Sequence, residues 1–232
     1  RSVFMIELWE LIGQRDRRYS TFSWRSRMAL RHKHLAFTTQ PVLQTDKAAI
    51  AFSGGKTVPV IRDSATVVRD SWQIAEYLEQ AYPQQPSLFG GPTGKALCLF
   101  FNTWVDRSLM PLAFRGLACD AIHIQDPADQ DHFRATIEKF TGGTPDSLKL
   151  EQAKTFERLR AALDPARAIL KRQQFLGGSE PCYADYILFS MFQWARIVSP
   201  VPMLPPDDPL QAWFERILGL YDGYARNTLA FY

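Results

Sequence analysis

The chain has 232 residues, 46% of them hydrophobic and 22% charged, with a net charge of +3. That length suits one large or two modest domains with real cores, and so small a charge gives no argument for nucleic acid. No stretch reaches the roughly 18 apolar residues of a membrane span. Cys98, Cys119 and Cys182 are odd in number and form no C-x-x-C pair, which argues against a disulfide framework and a zinc site and for a reducing, cytoplasmic setting.

The first expected element is a strand at Val3-Phe4-Met5-Ile6-Glu7-Leu8. Glu7 and Glu10 disfavour a signal peptide, and because the first residue is Arg1 a few residues are expected upstream. Gln14 to Ser20 reads as a polar, basic loop. Ser23 is the best natural N-cap for the helix that follows, with Trp24 as its first helical residue. Trp24, Met28 and Leu35 share one side of that helix, which is expected to run to about Leu35. Arg15, Arg17, Arg18, Arg25, Arg27, Arg31 and Lys33 concentrate positive charge here. A solvated helix face is the ordinary explanation; a local field for a small anion is the sharper one. A second strand is expected at Phe37 to Leu43 and a short helix at Asp46 to Phe52.

Residues 57 to 78 carry the strongest signal. Val58, Val60 and Ile61 are β-formers, and Thr66-Val67-Val68 after Asp63-Ser64 suggests an antiparallel return. Pro59 is misplaced in such a strand unless the bond before it is cis or its carbonyl side meets a ligand. Asp70-Ser71 opens a helix whose Ile74, Ala75 and Leu78 recur at helical spacing, and its first turn offers backbone N–H groups to an anion. The order β-α-β-α-β-β-α closes near Tyr82, the thioredoxin arrangement. Gly54-Gly55-Lys56-Thr57 imitates the end of a phosphate-binding loop, but its first glycine would fall at Ile50 and a strand follows, so nucleotide binding is rejected.

Pro83 to Pro92 is dense in turn formers and reads as a linker. Beyond it the pattern is helical. Leu97, Phe101, Trp104 and Val105 mark one long helix, followed by Phe133 to Phe140, Leu148 to Leu170, an aromatic-rich helix at Ala184 to Ile197, and a last one after Pro205-Pro206-Asp207-Asp208-Pro209. Asp185 is read as the structural acid of a capping box in which Cys182 is a poor cap. His32, His34, His123 and His132 lack metal-ligand spacing and are expected at the surface.

The Val58-Pro59 and Asp70-Ser71 pairs resemble the thioredoxin-like half of glutathione transferases. The resemblance implies a glutathione transferase fold: an α/β thioredoxin-like N-terminal domain over residues 1–82, a linker over 83–92 and an all-α C-terminal domain over 93–232. It implies that the Val58 backbone bonds the cysteinyl part of glutathione and that Asp70 and Ser71 take the γ-glutamyl end. Such an enzyme must stabilise a thiolate, and a free thiol near pKa 8.5 is mostly protonated at neutral pH. A hydroxyl and a helix N-terminus suit that task; Tyr19, Ser20, Thr21 and Ser23 all lie in the right loop.

A narrower resemblance runs through Ser20-Thr21-Phe22-Ser23-Trp24-Arg25-Ser26-Arg27 and Asp70-Ser71-Trp72, Ile74-Ala75-Glu76-Tyr77-Leu78. It continues at Phe175-Leu176-Gly177-Gly178 and Asp208-Pro209-Leu210, so it covers nearly the whole chain. This segment is similar to that of etherase-type glutathione transferases, the bacterial lignin β-aryl etherases and a related fungal class. Their pattern implies that Ser20 is the catalytic residue on the glutathione sulfur. Thr21 departs from it, standing where the family has Pro, and so implies a less rigid loop. The implied glutathione site is Ser20, Lys56, Thr57, Val58, Pro59, Asp70 and Ser71. Tyr19, Phe22, Trp104 and Phe114 are candidates for an aromatic electrophile slot. The partners implied are small aromatic hydrophobic molecules, without nucleic acid, membrane or metal, and a homodimer. The implied activity is attack of glutathione thiolate on aromatic electrophiles, including β-aryl ether cleavage; the alternative is a ligandin that holds plant polyphenols without turnover. A thiol reductase needs a cysteine in the active loop, and none precedes Cys98.

Overall fold

The computed structural model describes residues 5–232; Val3 and Phe4 of the expected first strand lie outside the described residues. Strand β1 is Ile6–Leu11, and β2, Phe37–Val42, lies parallel to it with Ile6 opposite Phe37. β3 (Val60–Asp63) runs antiparallel to β1, and β4 (Thr66–Arg69) antiparallel to β3, giving the order β2-β1-β3-β4. Pro41 is tolerated because β2 is an edge strand, where a missing N–H need not break a ladder. The period of two sorts the faces: Leu8 and Ile61 point towards the helices, whereas Trp9 and Val60 pack with Val42 and Ile50 on the other side. The Val58–Pro59 bond is cis.

Helix α1 spans Thr21–His32, not Trp24 to Leu35. Ser20 is its N-cap: its backbone is extended and its Oγ accepts from the Ser23 N–H at 3.3 Å. The Ser23 hydroxyl is instead buried without a partner among the described residues. The helix ends early because His34 takes a left-handed conformation (φ 53°). The N–H groups of His34 and Leu35 turn back onto the Arg31 and Leu30 carbonyls, a Schellman closure built without glycine. His32 is not at the surface. Its ring nitrogens lie 2.7 Å from the Tyr186 hydroxyl and 3.0 Å from the Ser87 carbonyl, and burial lowers its pKa.

The basic run is not a solvated face either. Arg25, Arg27 and Lys33 are buried. Arg27 and Arg18 share the buried Glu10, Arg25 grips Asp106 through both oxygens, and Lys33 meets Glu79 at 2.6 Å. Guanidinium groups can be buried when their fork is matched by carboxylates; the sequence separates those acids from their partners by up to 81 residues.

Helix α2, Ser71–Ala81, lies beside α1 under the sheet. The helical half opens with α3 (Pro92–Trp104), passes through a π turn at Val105–Leu109 and continues as α4 (Met110–Ala121). Pro111 cannot donate to the carbonyl four residues back, and the widened turn before it absorbs the misfit. The 110–121 helix is not among the elements expected from the sequence. α5 (Gln130–Thr141) comes next. The expected 148–170 helix is two, α6 (Pro145–Ala162) and α7 (Asp164–Leu170), divided at Pro165 for the same reason. α8 (Tyr183–Val198) is buried along its whole length, and α9 (Pro209–Gly223) kinks at Leu220 to Asp222.

α8 packs along α1, so one apolar core runs from Leu8, Trp24 and Met28 to Phe189 and Trp213. Asp185 is structural: its oxygens accept from the N–H groups of Leu176, Gly177 and Cys182 and from the Trp213 indole.

Candidate functional site

The expected catalytic loop is held from several directions. The Trp24 indole donates to the Arg18 carbonyl at 2.7 Å, and the Arg18 side chain reaches Glu10 and Thr39. The Tyr19 hydroxyl donates to Gln125 at 2.7 Å and accepts from Gln44 at 2.8 Å. Burial pushes its pKa well above the usual tyrosine range. Thr21 is the first residue of α1 and buried.

Ser20 thereby lines a cleft of about 260 Å³ shared with Phe22, Gln44, Lys47, Lys56, Thr57 and Val58. Its Oγ accepts from the Ser23 N–H, so its own proton is available to a ligand. The first turn of α1 holds no acidic residue, which leaves the positive end of the helix dipole uncompensated beside the cleft. Lys47 and Lys56 add two ammonium groups, with Asp46 opposing them.

Asp70 and Ser71 lie outside this cleft but are tied to it: the Asp70 N–H donates to the Pro59 carbonyl at 3.2 Å. Asp70 sits at φ 69°, and its Oδ1 caps α2 by accepting from Trp72 and Gln73 at 2.9 and 3.1 Å. Both bonds use one oxygen, and the side chain is exposed, so Oδ2 remains available to a cation. Ser71 is buried, and its carbonyl accepts from the Tyr183 hydroxyl at 2.8 Å.

Of the four aromatic candidates for the electrophile slot, only Phe22 lines the cleft. Tyr19 is buried in the bonds just described. Trp104 meets Phe101 edge-on, and Phe114 stacks on Trp194 with ring centres 6.2 Å apart. Sequence reasoning missed Gln44, Lys47, His132 and Thr136, all of which reach the cleft. No motif marks them; an ammonium or imidazole near an anion site is visible only once the chain is folded. Among the described residues no helix is long and apolar enough to cross a membrane.

A thioredoxin-like half, with a helix-capping serine and Val58 lining one cleft, joined to a helical half, defines a two-domain fold. Comparison with known proteins agrees. The model described as Glutathione S-transferase, N-terminal domain, matches residues 19–81, and that of the C-terminal domain matches residues 96–202, together well over half of the chain. The chain belongs to the glutathione S-transferase family, whose shared ligand is glutathione.

Among curated relatives it is 26% identical over 215 residues to the Glutathione S-transferase-like protein ustS of Aspergillus flavus, covering 75% of each chain. Glutathione transferase GSTFuA3 from Phanerochaete chrysosporium superposes with a TM-score of 0.78 at 27% identity, over 97% of this chain and 95% of that one. The transferase CsGST63524 of Ceriporiopsis subvermispora, solved in complex with glutathione, shares the fold with a TM-score of 0.77 at 23% identity, over 96% and 94% of the two chains.

Proposed function

We propose that this chain is a serine-type glutathione transferase, in which Ser20 holds the glutathione thiolate for attack on an aromatic electrophile. The observation that carries it is the placement of the Ser20 hydroxyl, polarised by the Ser23 N–H at the start of α1, in one cleft with Val58. Glutathione lies across residues 1–82, with its cysteinyl amide on the Val58 backbone next to Pro59 and Thr57. Its glycyl carboxylate sits near Lys47 and Lys56, and its γ-glutamyl ammonium on Asp70 with Ser71 behind it. Residues 83–92 connect this half to the helical one over 93–232, and three unpaired cysteines fit a reducing cytoplasmic setting.

In the reaction the sulfur forms a bond to an electrophilic carbon. With a β-aryl ether ketone the carbon–oxygen bond breaks, and the phenolate leaves with its electron pair. Turnover of such ketones and of simple conjugation substrates tests this, run beside a polyphenol titration. Polyphenol binding without turnover of either substrate would favour the ligandin instead.

Replacing Asp70 by Ala removes the partner of a charged ammonium, a loss of about 2 kcal/mol in affinity, or roughly thirtyfold. The same change removes the α2 cap, at about 1 kcal/mol of stability. Calorimetry on the folded variant, with its melting curve as control, reads the two separately. Unchanged glutathione affinity would refute the assignment.

The chain is also proposed to be a homodimer. In α3 only Cys98 is buried, while Leu97 and Phe100 are 65% and 75% exposed on adjoining turns. A helix so apolar on its open side needs a partner. Sedimentation should give twice the 26.5 kDa of one chain. The Leu97→Glu, Phe100→Glu double variant should return to the monomer, and a wild-type monomer contradicts the reading.

A further inference from the structure

Between α4 and α6, which pack along one another, the chain makes an excursion over residues 122–144. This excursion is fastened onto the thioredoxin-like half. Asp129 is fully buried, and its carboxylate accepts from the Gln44 and Thr45 N–H groups at 2.7 and 2.9 Å and from the Thr45 hydroxyl at 2.7 Å. Gln125, also fully buried, completes the triangle with Tyr19 and Gln44.

Helix α5 starts at this anchor. Its Phe133 and Ile137 turn into the core, and His132 and Thr136, four residues apart on another face, line the cleft that holds Ser20 and Phe22. The Thr136 hydroxyl donates its proton to the His132 carbonyl at 2.9 Å, so the free hydrogen-bond donor this helix brings to the cleft is the His132 imidazole. The same cleft is lined by the Phe22 ring, 40% exposed and held under the Arg25 guanidinium at 4.7 Å.

Glutathione needs neither group. Its charges are matched by Lys47, Lys56 and Asp70, and a hydrophilic tripeptide gains little from an open phenyl face. An apolar ring and an N–H donor lining one cleft match a flat aromatic molecule that carries an oxygen acceptor. We infer that His132 is a specificity-determining residue of the second-substrate side of this cleft, donating a hydrogen bond to a carbonyl or ether oxygen of an aromatic compound seated on Phe22. An imidazole presents such an N–H in either protonation state. This inference rests on the proposed glutathione site, since it takes the second substrate to lie beside Ser20.

Benzophenone and diphenylmethane, which share two rings and differ by one carbonyl oxygen, are the probes. Each is titrated into glutathione-loaded protein, followed by tryptophan fluorescence. The wild type should bind benzophenone about tenfold more tightly. His132→Ala should abolish that preference by weakening benzophenone alone, and His132→Gln, which keeps an N–H donor, should restore most of it. Glutathione affinity, measured by calorimetry, should be the same in all three proteins. A wild type without the preference overturns the inference, as does an alanine variant that keeps it or that weakens both probes equally. Failure of the wild type to bind glutathione at all would instead overturn the proposed function.

Discussion

Replacing Glu10 with alanine is expected to destabilise the protein by about 3–5 kcal/mol, the cost of stranding buried cations. Glu10 is 1% exposed and is the shared acceptor of Arg27, through Nε at 2.7 Å and through Nη2, and of Arg18 at 3.0 Å. Burial by itself would lower the Arg27 pKa. The Glu10 carboxylate outweighs it and holds the guanidinium above its ordinary value; without that carboxylate the guanidinium still keeps its proton at neutral pH, so losing it is no escape. Arg27 would retain only the Tyr224 hydroxyl at 2.8 Å and its stacking on Trp24. Urea unfolding followed by far-ultraviolet dichroism measures the loss. A Glu10→Leu, Arg27→Met double variant should recover much of it, because the penalty is an uncompensated charge and not the missing attraction. A loss below about 1 kcal/mol in the single variant would mean that water reaches this cluster. A side effect is expected in the loop ahead of Ser20: Arg18 loses Glu10 and keeps only Thr39 and Asp16, so that loop is held less firmly.

The second large effect belongs to Ser20. On the proposed site, removing its hydroxyl takes away one hydrogen bond to a charged sulfur, about 1.5–3 kcal/mol, so Ser20→Ala should raise the bound thiol's pKa by about one to two units. It should also cost about 1 kcal/mol of stability, since the same oxygen caps α1. Ser20→Asp separates the two roles: aspartate still accepts from the Ser23 N–H, but an ionised carboxylate cannot donate to sulfur. Stability should therefore be kept while the thiol pKa rises at least as far. Ser23→Ala should move neither quantity appreciably, because the Ser23 hydroxyl makes no bond among the described residues and caps nothing. Thiolate ultraviolet absorbance, titrated against pH in all three variants with glutathione bound, gives the pKa values. A shift in Ser23→Ala with none in Ser20→Ala would assign the sulfur contact to the wrong hydroxyl.

The local signals in this chain were readable because each is decided by neighbours in sequence. The β3–β4 hairpin follows from β-branched runs around Asp63-Ser64, and α2 from Asp70 as a cap followed by Ile74 and Leu78 at helical spacing. Short-range capping was less certain where two serines competed. Ser20 and Ser23 both have the right chemistry, and extended backbone at Ser20 decides the matter. The end of α1 carries no sequence sign, because a left-handed histidine stands where glycine is the usual one.

What depends on distant partners was closed to inspection of the sequence. Seven cations between Arg15 and Lys33 look like a wet surface until Glu10, Glu79 and Asp106 are folded against them, and desolvation with pairing turns a solubility feature into part of the core. His32 went inward for the same reason, meeting Tyr186 from α8. Tyr19, Trp104 and Phe114 have the composition of an aromatic slot, but the packing of the helical half uses them elsewhere. The amino-acid sequence by itself determined the thioredoxin-like order of elements, the Val-Pro and Asp-Ser pairs and the hydroxyl-bearing loop, since periodicity and turn chemistry act over a few residues. Only the tertiary structure decided which cations are buried and which aromatic faces the cleft. It also decided that an α5 histidine, on a helix anchored through Asp129 to the loop after β2, lines one cleft with Phe22: such placements are set by closing long loops onto a shared core, and no local pattern encodes them.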